Sequence, residues 1–311
     1  MVTAAGTANA RTALSFALLQ LALAIGWPIS ASASSRAQEM AAIFGDNNLD
    51  DAANAEGEFD RAVPNNCVLY EKLGRKTPST GRIGKIGKDG NKVYLGTGET
   101  IIRDDIVISA AHLVSQGDAT PLSPGDRLFF EVLEPSGGSC SFISYAVGSF
   151  ETFTDDPRVP RCTHLDVALF RLNGHVSDYR PLELASPELV EEFRSGRRTA
   201  VKIGFPNHAS VSYGRQWSIV TARAFRLERH DPSCRNDFLF AHDGDAWSGE
   251  SGAVFRIDGK LVGVHIRGYD EEQTHYINSR ANIGALLGPQ LRQGIIDYVN
   301  LNAATESPPS E

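Results

Sequence analysis

The chain has 311 residues and a formal charge of −8, from 38 acidic and 30 basic side chains. That balance argues against a nucleic-acid-binding protein, which carries a basic stripe, and no apolar stretch reaches the about 18 residues that a membrane-crossing helix requires. Apolar residues at 41% suffice for a core, and 29 glycines with 15 prolines favour a turn-rich chain of strands over a helical bundle.

From the N-terminus, Arg11 is the only charged side chain before Arg36, Ala13 to Gly26 is apolar, Pro28 breaks the run, and Ala31-Ser32-Ala33 has the small-x-small form of a cleavage site. This pattern predicts a signal peptide over 1–33, a mature chain from Ser34 and a secreted protein, extracellular or periplasmic, free of the membrane once cleaved. A short buried helix is the competing reading. Gly45 to Asp60 contains six acids and no base. Residues 34–66 therefore read as an acidic leader or pro-segment, or simply as a polar tail. Compact sequence begins at Cys67.

Export gives the four cysteines a meaning. Cys67, Cys140, Cys162 and Cys234 contain no CxxC pair, and in an oxidising compartment two disulfides are the default, with three pairings open. The rival is a zinc site on Cys162, His164 and Asp166, which alternate along a strand-like stretch and would face one side.

Beyond the leader, short runs rich in β-branched residues predict strands at Lys92 to Leu95, Thr100 to Ile102, Ile106 to Ser109, Arg127 to Leu133, Val167 to Leu172, Thr199 to Ile203, Trp217 to Ala222 and Phe238 to Ala241. Ala253 to Ile257 and Leu261 to Ile266 flank Asp258-Gly259, a hairpin signal. Ser186 to Phe193 and Pro289 to Leu301 read as helices, the second despite Gly294. Asn302 to Glu311 is a polar tail. Many strands and one terminal helix predict an all-β architecture of two packed barrels, linked through Leu182 to Arg198.

Three segments carry chemistry. In Ile106-Val107-Ile108-Ser109-Ala110-Ala111-His112 an apolar strand runs into two alanines, so the chain can turn tightly with the imidazole on a cleft. In Leu165-Asp166-Val167-Ala168-Leu169-Phe170 an acid abuts an apolar strand, and a half-buried carboxylate needs a partner such as an imidazole N–H. In Gly249-Glu250-Ser251-Gly252 glycines flank a serine, permitting a tight turn that leaves the N–H groups of Gly249 and Ser251 free to point at one oxygen. Each segment alone is weak, whereas the order His, Asp, Ser in an exported β-rich chain is specific. Asp155, Asp156 and Asp178 are alternative acids, set in polar turns.

With Gly96-Thr97-Gly98 and Leu261-Val262-Gly263-Val264-His265, these motifs resemble the trypsin superfamily over roughly residues 67–300. Gly204-Phe205-Pro206 and Gly263-Val264-His265 resemble the bacterial V8-like glutamyl endopeptidases most. The resemblance implies two antiparallel six-stranded barrels, about 67–181 and 199–288, with a C-terminal helix at 289–301. It implies a cofactor-free and metal-free serine endopeptidase acting as a monomer on proteins or peptides. His112, Asp166 and Ser251 would be the triad, and Gly249 and Ser251 the oxyanion hole. The alternative is a catalytically silent binding module of the same fold.

The resemblance also frames specificity. Asp245, six residues before Ser251, matches an acid that selects Arg or Lys, while His265, with Arg267 facing the same way, would hold an acidic side chain. Ala246 departs from the V8-like pattern, which has a hydroxyl residue there. The balance leans to an acidic or mixed preference. Glu250 departs too, because the family usually has Asp, Asn or Gln at that place. In trypsin-type zymogens an acid there pairs with a newly cut N-terminus, so processing between Glu58 and Arg61 would offer the α-ammonium of Ala62 or a nearby residue; the competing reading is that Glu250 simply meets solvent or a nearby Arg.

Overall fold

The structure, a computed structural model, describes residues 80–304 apart from 115–121, 137–138, 154–164, 177–179, 206–216, 229–237, 245, 247–248 and 269–280, together with the backbone of 61–63. All of these belong to one compact unit, Glu39–Glu311. The predicted signal peptide therefore lies outside the described residues, as do Cys67, Cys162, Cys234, His164, Asp155, Asp156, Asp178 and Asp245. Cys140 is described by its backbone, opposite Pro135 in a strand ladder.

Fourteen strands and two α-helices are described. The first barrel closes as β2 (Thr80–Ile86), β3 (Lys92–Thr100), β4 (Ile106–Ala110), β7 (Val167–Leu172), β6 (Ser139–Thr152) and β5 (Arg127–Ser136), with β5 returning to β2. The second runs β9 (Thr199–Gly204), β10 (Trp217–Phe225), β11 (Leu239–His242), β14 (Asn282–Leu286), β13 (Lys260–Arg267) and β12 (Val254–Ile257), and β12 closes on β9. β8 (Glu183–Leu184) runs parallel to β13. Two antiparallel six-stranded barrels are thus the fold expected from the sequence. One feature departs from expectation: β1 (Arg61–Val63), inside the predicted leader, pairs with β10, with Ala62 opposite Ser218.

Burial explains why some strands are legible. Along β4, Val107 enters the interior of the first barrel while Ile106 and Ile108 join the large cluster shared with the second. Along β7, Ala168 and Phe170 point inward and Val167 and Leu169 toward the other barrel. Strands buried on both faces read as unbroken apolar runs, and these two carry the predicted histidine and acid. The 3-10 turn Ala111–Leu113 follows β4 directly.

Glycine hides other strands. In β2, a Cβ at Gly81 or Gly84 would lie within 2.6 Å of the Phe130 or Phe129 rings or of a backbone oxygen, so side chains are excluded where those rings pack. The predicted strand Thr100 to Ile102 is not separate. β3 ends at Thr100, Ile101 makes one bridge to Leu182, and Ile102 turns away at φ 59°. Asp258 and Gly259 form the expected hairpin, both at positive φ.

Helix α1 (Pro187–Arg194) starts where the hydroxyl of its N-cap Ser186 accepts the Leu189 N–H. Its Phe193 packs on the rings of Phe240 and Phe255, at 5.0 and 5.8 Å. Helix α2 (Pro289–Ala304) buries Leu291, Ile295, Tyr298 and Val299 in the same cluster. The absent side chain of Gly294 admits Phe153, whose ring lies 2.6 Å from where a Cβ would stand.

Candidate active site

The β4–β7 ladder sets Ala110 opposite Val167. His112, two residues beyond Ala110, and Asp166, one before Val167, are therefore neighbours despite 54 positions of separation. The Asp166 carboxylate grips the histidine twice. Oδ1 accepts the His112 main-chain N–H at 2.8 Å, and Oδ2 lies 2.8 Å from Nδ1. The Asp166 carbonyl also accepts the Ala111 N–H at 3.0 Å. Asp166 adopts φ 50°, a left-handed conformation that aspartate tolerates better than most residues. It is almost buried, whereas 22% of the His112 side chain remains exposed, so the imidazole is held at Nδ1 and partly reached by solvent.

Gly249 and Gly252 both stand at φ 90° around the Ser251 turn. The Thr97 N–H donates to the Ser251 carbonyl at 2.9 Å, and Gly252 donates to the His265 carbonyl at 2.7 Å. A Cβ at Gly252 would strike Ser109 Oγ and the Thr97 carbonyl. The serine turn is thus pressed onto β3 and β4, the strand that precedes the His112 turn. Among the described residues, the N–H groups of Gly249 and Ser251 make no hydrogen bond, and the Ser251 hydroxyl is likewise unbonded.

Behind this turn lies a buried charge pair, Lys202 Nζ to Glu250 Oε1 at 3.3 Å, with no exposure on either side chain. In the full chain Glu250 already meets an internal ammonium. Gly204 makes room for it, since a Cβ there would sit 2.7 Å from Glu250 Oε1.

His265 is buried in β13 and its Nδ1 lies 3.0 Å from Nε2 of His242. Burial, with Lys202, His242 and His112 nearby, holds His265 well below its ordinary value, and burial with Lys202 does the same to His242. Both rings are neutral near pH 7. Arg267 sits half-buried at the end of β13, but the ladder to β14 slips between His265 and Arg267. Strict alternation does not carry across that irregularity, so the expectation that the two side chains share a face loses its basis.

Sequence reasoning missed Lys202, His242 and the hydroxyl of Thr97. A lysine, a histidine and a threonine in short strands carry no local mark of such a role. Asp104, Asp105 and His175 bring oxygen and nitrogen atoms within 4.8 Å of one another, but Asp105 is held by two Arg103 hydrogen bonds and Asp104 by His175. Asp166, one leg of the rival zinc reading, is committed to His112.

A family model described as trypsin-like peptidase domain matches residues 96–264, more than half of the chain. No curated protein matches the sequence. Among solved structures the fold is similar to that of neuropsin, a serine protease expressed in the limbic system of mouse brain, with TM-score 0.51 and 13% identity over 72% of this chain and 96% of that one. The matched segment holds both strands that position His112 and Asp166 as well as the Ser251 turn, and the chain belongs to the trypsin-like peptidase family.

Proposed function

We propose that this protein is an active serine endopeptidase that cleaves peptide bonds through an acyl-enzyme. The observation that carries the reading is the double grip of Asp166 on His112. It fixes the ring with Nδ1 toward the carboxylate and leaves Nε2 as the nitrogen to serve the serine. His112 then takes the Ser251 proton as the hydroxyl attacks the scissile carbonyl, and returns it to the departing amine. Asp166 stabilises the imidazolium in between. The free N–H groups of Gly249 and Ser251 receive the oxyanion, and a lost donor of this kind typically costs about 10²–10³ in kcat. Water repeats the cycle to release the acid. Every proton and charge is handled by side chains and amides, so the reaction calls for no metal or organic cofactor.

A fluorophosphonate probe should label the wild-type protein covalently, and Ser251→Ala should abolish both labelling and peptide cleavage. Wild-type protein that takes no label would favour the silent binding module instead.

Within this reading the enzyme is exported as a monomer by its N-terminal segment and belongs near the V8-like branch, with an acidic or mixed preference. The support is His265 on the strand that braces the serine turn. Neutral His265 keeps an N–H for a carboxylate in the tautomer where His242 Nε2–H donates to its Nδ1. Peptides differing only in Glu, Leu or Arg before the scissile bond should be cut fastest with Glu. A tenfold preference for Arg, about 1.4 kcal/mol, would overturn this and return the role to Asp245.

A further inference from the structure

We infer that Thr97 is a positioning residue that locks the oxyanion-binding turn against the first barrel, an inference that rests on reading Ser251 as the nucleophile. Thr97 lies in β3, fully buried, between Gly96 and Gly98. Those glycines let the strand approach. A Cβ at Gly96 would stand 2.6 Å from the Ser251 carbonyl, and one at Gly98 would stand 2.8 Å from both Ile83 and Val107. Only the middle residue keeps a side chain, and that side chain bridges two distant segments. Its hydroxyl accepts the Phe205 N–H at 2.9 Å and donates to the Gly249 carbonyl at 2.9 Å.

The direction of these bonds matters. Because the Phe205 N–H occupies the oxygen, the hydroxyl proton is aimed at Gly249. The main chain of Thr97 adds a second tie, its N–H to the Ser251 carbonyl. The Glu250 carbonyl between them accepts the Ala253 N–H at 2.8 Å. Three successive carbonyls of the turn are therefore held. In a trans peptide the N–H points opposite its carbonyl, so holding the Glu250 carbonyl fixes the Ser251 N–H. Gly249 stands at φ 90°, where glycine rotates with little resistance. The Thr97 hydroxyl is what restrains the peptide on its C-terminal side. Without that bond Gly249 loses its tie on the carbonyl side, and the Gly249 N–H, which belongs to the preceding peptide, loses its fixed aim at the site where the oxyanion develops. Thr97 touches neither substrate nor nucleophile oxygen and acts through the peptide it holds.

The test compares Thr97→Val, which keeps the shape and removes the hydroxyl, with Thr97→Ser, which keeps the hydroxyl. The expected result for Thr97→Val is a fall in kcat of about tenfold or more with KM nearly unchanged, because the oxyanion contact exists only in the transition state. A peptide aldehyde, which forms a tetrahedral adduct, should lose affinity by the same factor, and Thr97→Ser should restore both. If Thr97→Val does not fold, Thr97→Ala carries the same comparison with Thr97→Ser. Full kcat in a folded hydroxyl-free variant of an active enzyme would overturn this inference alone, as would an equal loss in Thr97→Ser. A wild-type protein that neither cleaves peptides nor takes a fluorophosphonate would defeat the reading of Ser251, and this inference with it.

Discussion

Lys202 and Glu250 place opposite charges where no solvent reaches. Such a pair gains little over an apolar replacement, yet removing one partner typically costs about 3–5 kcal/mol because the other charge is left buried. The value of the pair here is position. Glu250 is the residue before Ser251, and its side chain anchors the turn from behind while Thr97 holds the carbonyls in front. The sequence left a newly cut chain end near Ala62, solvent or a nearby Arg as partners, but the full chain supplies an ammonium from β9. Lys202→Met should therefore lower the melting temperature sharply and reduce peptide cleavage, with Lys202→Met/Glu250→Gln recovering much of the stability. Thermal unfolding of the purified, active protein checks this. If an α-ammonium were the working partner instead, Lys202→Met would be nearly silent in processed enzyme.

The elements differ in how openly their sequences declare them. β4 and β7 are sandwiched between two cores, so Ile106-Val107-Ile108 and Val167-Ala168-Leu169-Phe170 are continuously apolar and their flanking His112 and Asp166 stand out. The serine turn is legible through its glycines, whose φ of 90° needs them. β2 and β14 are obscure because glycines replace the branched residues that mark a strand: Gly81 and Gly84 yield to Phe130 and Phe129, and Gly284 yields to Phe240. β9 inverts the usual signal. Val201 is partly exposed at 37% while Lys202 beside it is fully buried, so polarity along Thr199-Ala200-Val201-Lys202-Ile203 points the wrong way. What is buried there is an ion pair, and its other half is 48 residues away in a different motif. The pairing of His242 with His265 is hidden for the same reason: two histidines on separate strands share no local pattern.

At the scale of the whole molecule, the barrels are joined by charge as well as by packing. Glu99 of β3 meets Arg256 of β12 at 2.9 Å, both buried, and Arg256 also reaches Thr80. Burial pushes the Glu99 carboxyl up to about 7 although Arg256 and Thr80 oppose the shift, and burial lowers Arg256. A carboxyl raised on folding adds stability that is complete below its unfolded value, 4.5, and is lost as pH rises through about 7. His242 and His265 act in the opposite sense. Their lowered values add stability that is complete above 6.5 and is lost as pH falls. Two histidines outweigh one carboxyl on the acid side, and the carboxyl alone acts just above 6.5. The melting temperature should climb from pH 5 to about 6.5, dip slightly toward pH 8 and then level, the slopes following protons bound in each state. Glu99→Gln imitates the protonated acid. Its stability relative to wild type should rise between pH 5 and about 7 and then level, by an amount on the order of 3 kcal/mol at 1.36 kcal/mol per pKa unit. Thermal denaturation of both proteins across that range reads this difference directly, because every other titrating group is common to the two. Parallel curves would mean that Glu99 ionises in the folded protein as it does in the unfolded chain, and that the charge joining the barrels carries no penalty at neutral pH.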